Sequence, residues 1–349
     1  MKVVVTGATG NVGTSVVRAL AADGAIDEVV ALARRPPQRD LDGARFVKAD
    51  VAADDLQGSF AGADAVVHLA WLIQPGRNEA LTRRVNVNGS RRVFEAVLAA
   101  RVPALIYASS VGAYSPGPKD RRVDENWPTN GIATSFYSRH KAEVERQLDR
   151  LQAEEPPLRI VRLRPGLIFK RQAATEIRRL FLGPLVPGAL LRSSLLPVCP
   201  AIPGLCFQAV HSDDVAEAYR AAVVSDVAGA FNIAAEPVIG PAELAEMLSA
   251  RPVKLSPRIL RAAAAATYRT RLQPAEPGWV DMGLGVPLMS TERARSELAW
   301  SPRHSAIEAI GELAAGMREG ADDRTAPLAR RTSGPARIRE LLTGVGQRQ

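Results

Sequence analysis

The stretch Lys2-Val3-Val4-Val5-Thr6-Gly7-Ala8-Thr9-Gly10-Asn11-Val12-Gly13 decides how this chain is read. A short β-branched run hands over to three glycines spaced three apart, and Val12–Ala22 then carries apolar residues at helical spacing. In a strand–turn–helix unit each glycine has a task. Gly7 permits the tight turn, Gly10 lets the backbone approach a pyrophosphate, and Gly13 allows the helix to pack closely on the strand. Asn11 and Val12 open the helix, whose positive end then faces the phosphates. A glycine-rich turn without a ligand is the weaker reading in this context.

Outward from this turn, β-branched runs alternate with longer amphipathic stretches, the pattern of a parallel sheet with crossover helices. Strands are expected at Lys2–Thr6, Glu28–Ala33, Arg45–Lys48, Ala65–Leu69, Ala104–Ser109 and Arg159–Leu163. Helices are expected at Val12–Ala22, Leu81–Ala100, Ser138–Leu151, Asp213–Val224, Pro241–Ser249 and Thr291–Leu298. The fold class is α/β, a Rossmann-type doubly wound parallel sheet with a smaller, loop-rich C-terminal substrate lobe. Residues 1–165 form the dinucleotide-binding core, and 166–319 are mostly substrate lobe with returning core elements. Residues 320–349, poor in large apolar side chains, read as a disordered tail.

An NAD site usually has an acidic residue at the end of the second strand, about 20 positions after the turn, to bond both ribose hydroxyls. Here the chain reads Ala33-Arg34-Arg35. A guanidinium at Arg34 or Arg35 would pair with a 2′-phosphate, which favours NADP over NAD. The other reading makes both arginines surface residues of a loop continuing into Pro36-Pro37.

Composition removes other classes. A chain of 349 residues with 46% hydrophobic content can bury a large core without staples. Cys199 and Cys206 are the 2 cysteines, and without a neighbouring His cluster they read as reduced, buried thiols. No metal site is expected. Prolines 197, 200 and 203 interrupt the greasiest stretch, so no membrane span is expected, and Met1-Lys2 leads directly into a strand without a secretory signal. A cytoplasmic protein is inferred. The net charge of +8 is scattered, without a basic run interleaved with aromatics, so nucleic acid is not an expected partner.

Tyr137-Ser138-Arg139-His140-Lys141 puts a phenol and an ammonium four positions apart, one turn from each other on a helix. A free tyrosine, with a pKa near ~10, is a poor base at neutral pH, but an adjacent lysine and a positive nicotinamide both favour the phenolate. Tyr137 could then exchange the hydroxyl proton while hydride moves. Ser110, at the carboxyl end of the fifth strand, can converge there and hold the substrate oxygen.

These motifs together resemble the extended short-chain dehydrogenase/reductase superfamily, also called the NAD-dependent epimerase/dehydratase family, over roughly Met1 to Trp300. The ordered matches are Thr6–Gly13, Asp50-Val51, His68-Leu69-Ala70, Asn86-Val87-Asn88-Gly89-Ser90, Ser110, Tyr137 with Lys141, Arg164-Pro165-Gly166 and His211–Val215. The resemblance implies that Asp50 and Val51 meet the adenine and that Leu69 and Ala70 line the path to the nicotinamide ribose, which Lys141 bonds. It implies that Asn86 ties the active-site helix to the cofactor side, unless it simply braces a helix. His211, Asp213 and Asp214 shape the second lobe, and a homodimer is implied.

Two departures narrow the reaction. The family's dehydratases follow the catalytic Ser or Thr with an acidic pair, and this chain has Val111-Gly112 there, which disfavours dehydration. Ser115 replaces a usual glycine, and Trp71 stands where a small residue is common; it either walls the nicotinamide edge or only packs. The reading is a reductase or epimerase moving hydride at a carbinol or ketone carbon of a small molecule such as a sugar nucleotide. Arg171, Arg178, Arg179 and Arg192 either bind a diphosphate or are solvated. A non-catalytic NADP sensor or scaffold is the alternative, and the intact Ser, Tyr and Lys argue against it.

Overall fold

The computed structural model describes residues 1–73, 77–178, 180 and 198–329. Seven parallel strands form the central sheet: β1 (Lys2–Thr6), β2 (Glu28–Ala33), β3 (Arg45–Lys48), β4 (Ala65–His68), β5 (Ala104–Ala108), β6 (Arg159–Pro165) and β7 (Gly229–Ile233). They lie in the order β7-β6-β5-β4-β1-β2-β3. Val3, Val4 and Val5 are fully buried because helices cover both faces, the requirement of an all-parallel sheet. On one face α1 (Asn11–Ala21) packs with α4 (Ser212–Val224) through Val16, Val17, Leu20, Ala218 and Tyr219. On the other, α2 (Gly89–Ala99) and α3 (Phe136–Glu154) bring Phe94, Val97, Val144 and Leu148 onto Val4, Val66 and Leu105.

Strand order reverses at β1, with Val4 beside Val30 of β2 on one side and Val66 of β4 on the other. A crevice opens beyond the carboxyl ends of these strands, at the place where open α/β sheets bind ligands. The doubly wound architecture expected from the alternating pattern is therefore present.

Some elements differ from expectation. The helix expected over Leu81–Ala100 is broken into Glu79–Arg83, a wider π-type turn at Arg84–Asn88, and α2. β7 was not expected; it adds an edge strand, with Phe231 beside Leu163. Among the helices that were also missed are the longer α5 (Pro257–Arg269), α6 (Gly278–Gly285) and α7 (Ala306–Glu319). The expected tail needs correction as far as Ala329. Gly320 takes the left-handed conformation (φ 68°) that ends α7, Leu328 and Thr325 are fully buried, and Asp323 pairs with Arg39 at 2.8 Å. The rest of that segment, from 330, lies outside the described residues.

Cys199 and Cys206 are free thiols, Cys199 buried and Cys206 only partly so. Among the described residues no helix is long and apolar enough to cross a membrane, and no group of three His, Cys, Asp or Glu is arranged to hold a metal ion.

Candidate functional site

The first turn forms the floor of the crevice. Gly7 has φ +74°, and a Cβ there would stand 2.7 Å from the Ala70 backbone nitrogen. At Gly13 a Cβ would lie 2.2 Å from the Gly7 carbonyl oxygen, so this glycine serves the turn's own closure more than the helix-to-strand packing expected of it. Gly10 differs. Its nearest neighbour would be 3.5 Å from a Cβ, an ordinary contact, so the protein itself does not demand a glycine. Its bare backbone faces the groove, which suits the close approach of a pyrophosphate.

Gly7, Gly10, Arg34, Asp50, Val51, Leu69 and Ala70 all border this groove. Arg35 and Trp71 line it as well. Asn11, Val12 and Gly13 do not line it. The Asn11 amide donates to the Ile168 carbonyl (3.2 Å) and Val12 packs against the core, so these residues offer backbone N–H groups at the start of α1. Asn86 is the plainest departure. It is fully buried, its Oδ1 accepts from the Leu72 N–H (2.7 Å), and its Nδ2 donates to the Leu72 carbonyl (2.8 Å). Both ends of the amide are spent on the loop after β4, so Asn86 braces the segment that carries Trp71 and does not reach the groove.

Tyr137, Lys141 and Ser110 converge. Ser135 caps α3, its side chain accepting from the Ser138 N–H, and the Ser138 hydroxyl donates to the Gly112 carbonyl while accepting from the Ile132 N–H (2.6 Å). The start of α3 is thereby tied to the loop that follows Ser110. Burial pushes the Tyr137 phenol up to about 12, with the nearby Ser110 hydroxyl opposing. The expectation that Lys141 would favour the phenolate is not met by the protein alone, because desolvation dominates. Lys141 is buried, donates from Nζ to the Ala108 carbonyl (2.6 Å), and lies 3.5 Å from the Trp71 ring centroid. Burial pushes its ammonium well below the ordinary lysine value, with Glu145 opposing. Gly112 acquires a purpose here, since a Cβ would come 2.9 Å from the Tyr137 ring.

Behind these groups lies a network that sequence reading missed. Glu145, one turn beyond Lys141, has no exposed surface and accepts from Ser109 Oγ (2.5 Å), Arg164 Nε (2.8 Å) and Arg162 Nη1 (3.1 Å). Burial alone would raise its carboxyl, but Arg164, Arg162 and Ser109 outweigh it and hold the group at about 2. Arg164 also donates to the Tyr114 hydroxyl (3.0 Å). A second chain joins Thr6, His68 and Ser90. Ser90 Oγ donates to the Asn86 carbonyl, so it accepts from His68 Nε2 (2.9 Å), leaving Nδ1 to accept from Thr6 (2.7 Å). Burial holds His68 at about 3, hence neutral.

Asp213 accepts from Ser15 (2.6 Å) and Arg18, and Asp214 from the His304 N–H (2.9 Å), so both fasten helices together. Arg171 pairs with Glu319. Arg179 and Arg192 lie outside the described residues.

The sheet, its switch-point groove and the glycine turn define a nucleotide-binding fold of the Rossmann type. A family model described as NAD dependent epimerase/dehydratase family matches residues 3–234, and the chain belongs to that family. An uncharacterized protein of Mycobacterium tuberculosis is 24% identical over 89% of this chain and 82% of its own length. An L-arabinose 1-dehydrogenase (NAD(P)(+)) of Haloferax volcanii is 37% identical over 31% of this chain and 41% of its own. Among solved structures, the UDP-glucose 4-epimerase of Thermus thermophilus, in complex with NAD, superposes with a TM-score of 0.67 at 22% identity, covering 91% of this chain and 99% of that one.

Proposed function

We propose that the protein is an NAD(P)-dependent reductase or epimerase that transfers hydride at a carbinol or ketone carbon, with Tyr137 as acid/base, Ser110 as oxygen clamp and Lys141 as ribose anchor. The observation that carries this reading is the gathering of the three groups: the Lys141 ammonium lies 5.9 Å from the Tyr137 ring centroid, and Gly112, whose N–H donates to Ser110 Oγ (3.0 Å), packs against that ring. A nicotinamide held in the groove would supply or accept the hydride. Gly7, Gly10 and the start of α1 would hold its pyrophosphate, with Asp50 and Val51 towards the adenine. In the reducing direction the Tyr137 phenol, kept protonated by burial, gives its proton to the substrate oxygen as the carbonyl carbon becomes a carbinol carbon. Ser110 holds that oxygen in line, and the Trp71 and Trp279 rings pack against the phenol at 5.9 Å and 4.9 Å between centroids.

Arg34 supports NADP as the preferred cofactor, since it borders the groove, is exposed, and follows β2 where an NAD site would carry an acid. Arg34→Ala should weaken NADPH binding by on the order of tenfold and leave NADH nearly unchanged, read from nucleotide fluorescence. Family membership supports a small-molecule substrate, sugar nucleotides among the candidates, and with it a cytoplasmic homodimer. The deciding experiment is Tyr137→Phe. Turnover should fall by roughly 10²–10⁴-fold with NADPH affinity retained; undiminished activity would refute the mechanism.

A further inference from the structure

We propose that the Trp71 indole is a gate over the catalytic group, covering the Lys141 ammonium until the nicotinamide half of the cofactor turns it aside, an inference that rests on the ribose-anchor reading above. One indole meets both sides. Trp71 lines the nucleotide groove, which Ser110, Tyr137 and Lys141 do not, and the Lys141 Nζ lies 3.5 Å from the centroid of the same ring. The Tyr137 ring stands 5.9 Å from it, inclined at 74°. Lys141 is 3% exposed and Ser110 8%, so a ribose arriving along the groove finds no ammonium surface to bond while the indole keeps this place.

The closed arrangement is lightly held. An ammonium has three N–H donors. That of Lys141 makes one hydrogen bond, to the Ala108 carbonyl (2.6 Å), and otherwise rests against aromatic rings, Trp71 and, at 5.1 Å, Tyr107. Trp71 Nε1 is buried as well and has no hydrogen-bond partner. Both groups are donors kept from water without their full set of acceptors, a cost that offsets the attraction between cation and ring. Ribose hydroxyls at Nζ supply the missing acceptors, and an indole turned towards solvent regains water for its N–H. The backbone does not follow. Asn86 holds the N–H and the carbonyl of Leu72 (2.7 and 2.8 Å), and the Leu69 N–H donates to the Thr6 carbonyl (3.1 Å). With the chain pinned on both sides of Trp71, the movement available is a change of side-chain rotamer.

Isothermal titration calorimetry of the full chain tests the gate with two probes, NADP⁺ and adenosine 2′,5′-bisphosphate, which carries the adenine half alone. A site whose competent form is only partly populated binds with its affinity reduced by that fraction. Trp71→Ala should therefore tighten NADP⁺ binding by about three- to tenfold and leave the bisphosphate within about twofold of its wild-type affinity. Weaker or unchanged NADP⁺ binding, or an equal change for both probes, overturns the gate. A crystal structure of the wild-type NADP⁺ complex decides even if the alanine variant does not fold: the indole should have left the Lys141 ammonium, with the nicotinamide ribose bonded to Nζ. Ribose on Nζ beneath an unmoved indole would refute the gate and leave the anchor standing. Ribose seated away from Nζ would refute the anchor, and the gate with it.

Discussion

The residue that best shows how this site is built is Glu145. It touches neither the groove nor the phenol, yet it holds Ser109, the neighbour of Ser110, and neutralises two buried guanidinium groups. Its carboxyl is held at about 2, against 4.5 for the ordinary group. A carboxyl depressed in the fold contributes stability that is complete above the unfolded value and is lost as pH falls from about 4.5 towards about 2. Glu145→Ala should cost ~3–5 kcal/mol, because it leaves the buried Arg164 without a carboxylate and Arg162 with Asp149 alone, and should flatten the stability profile across that acid window; urea unfolding at several pH values reads both effects. Nothing in the sequence flagged this residue. A glutamate in a helix rich in Arg and Glu looks like a solvated charge, and its burial depends on arginines that arrive from β6, which is distant in the chain. Tyr137, Lys141 and Ser110 were legible because a spacing and a strand end are local properties. Asn86 was legible as a polar residue under constraint, but its partner, the backbone of Leu72, was not.

At the scale of elements, the strand–turn–helix unit was the most readable part of the chain, since its requirements are met within a dozen residues. Its glycines nonetheless divide in a way the spacing does not reveal. Gly13 is required by the turn, whereas Gly10 is bare towards the groove. Gly13→Ala should therefore destabilise the fold by ~1–3 kcal/mol or more, as an overpacked backbone contact. Gly10→Ala should leave the melting temperature nearly unchanged and weaken NADPH binding; equal losses of stability in the two variants would contradict this division. The break between Glu79–Arg83 and α2 was not legible, because apolar periodicity runs through it unaltered. The π-type turn inserts its extra residue where Asn86 must face the β4 loop, a tertiary demand. β7 escaped notice for a similar reason, being short and opening with two small residues, so that only pairing with β6 makes it a strand.

Across the whole molecule, the order of strands followed from alternation, while the boundary of the folded body did not. Composition marks everything after Gly320 as tail, yet Leu328 is fully buried, Thr325 donates no surface to water, and the Arg324 carbonyl accepts from the Gln38 N–H at 2.7 Å. A few apolar contacts in an otherwise polar stretch are too sparse to register as periodicity. Deletion of residues 320–349 should lower the melting temperature by several degrees, roughly the loss of one buried leucine and its neighbouring ion pair. An unchanged melting curve would show that this docking carries no stability.

The contact between Lys141 and Trp71 has one more consequence. Indole emission responds to a cation lying 3.5 Å from its ring centre and to any aromatic group inserted beside it. Of the 4 tryptophans in the chain, Trp71 is the one on the rim of the nucleotide groove, so the crevice carries its own optical gauge. Occupancy can be followed by intrinsic fluorescence without attaching a dye, and in Trp71→Phe that signal should vanish while the rest of the emission remains.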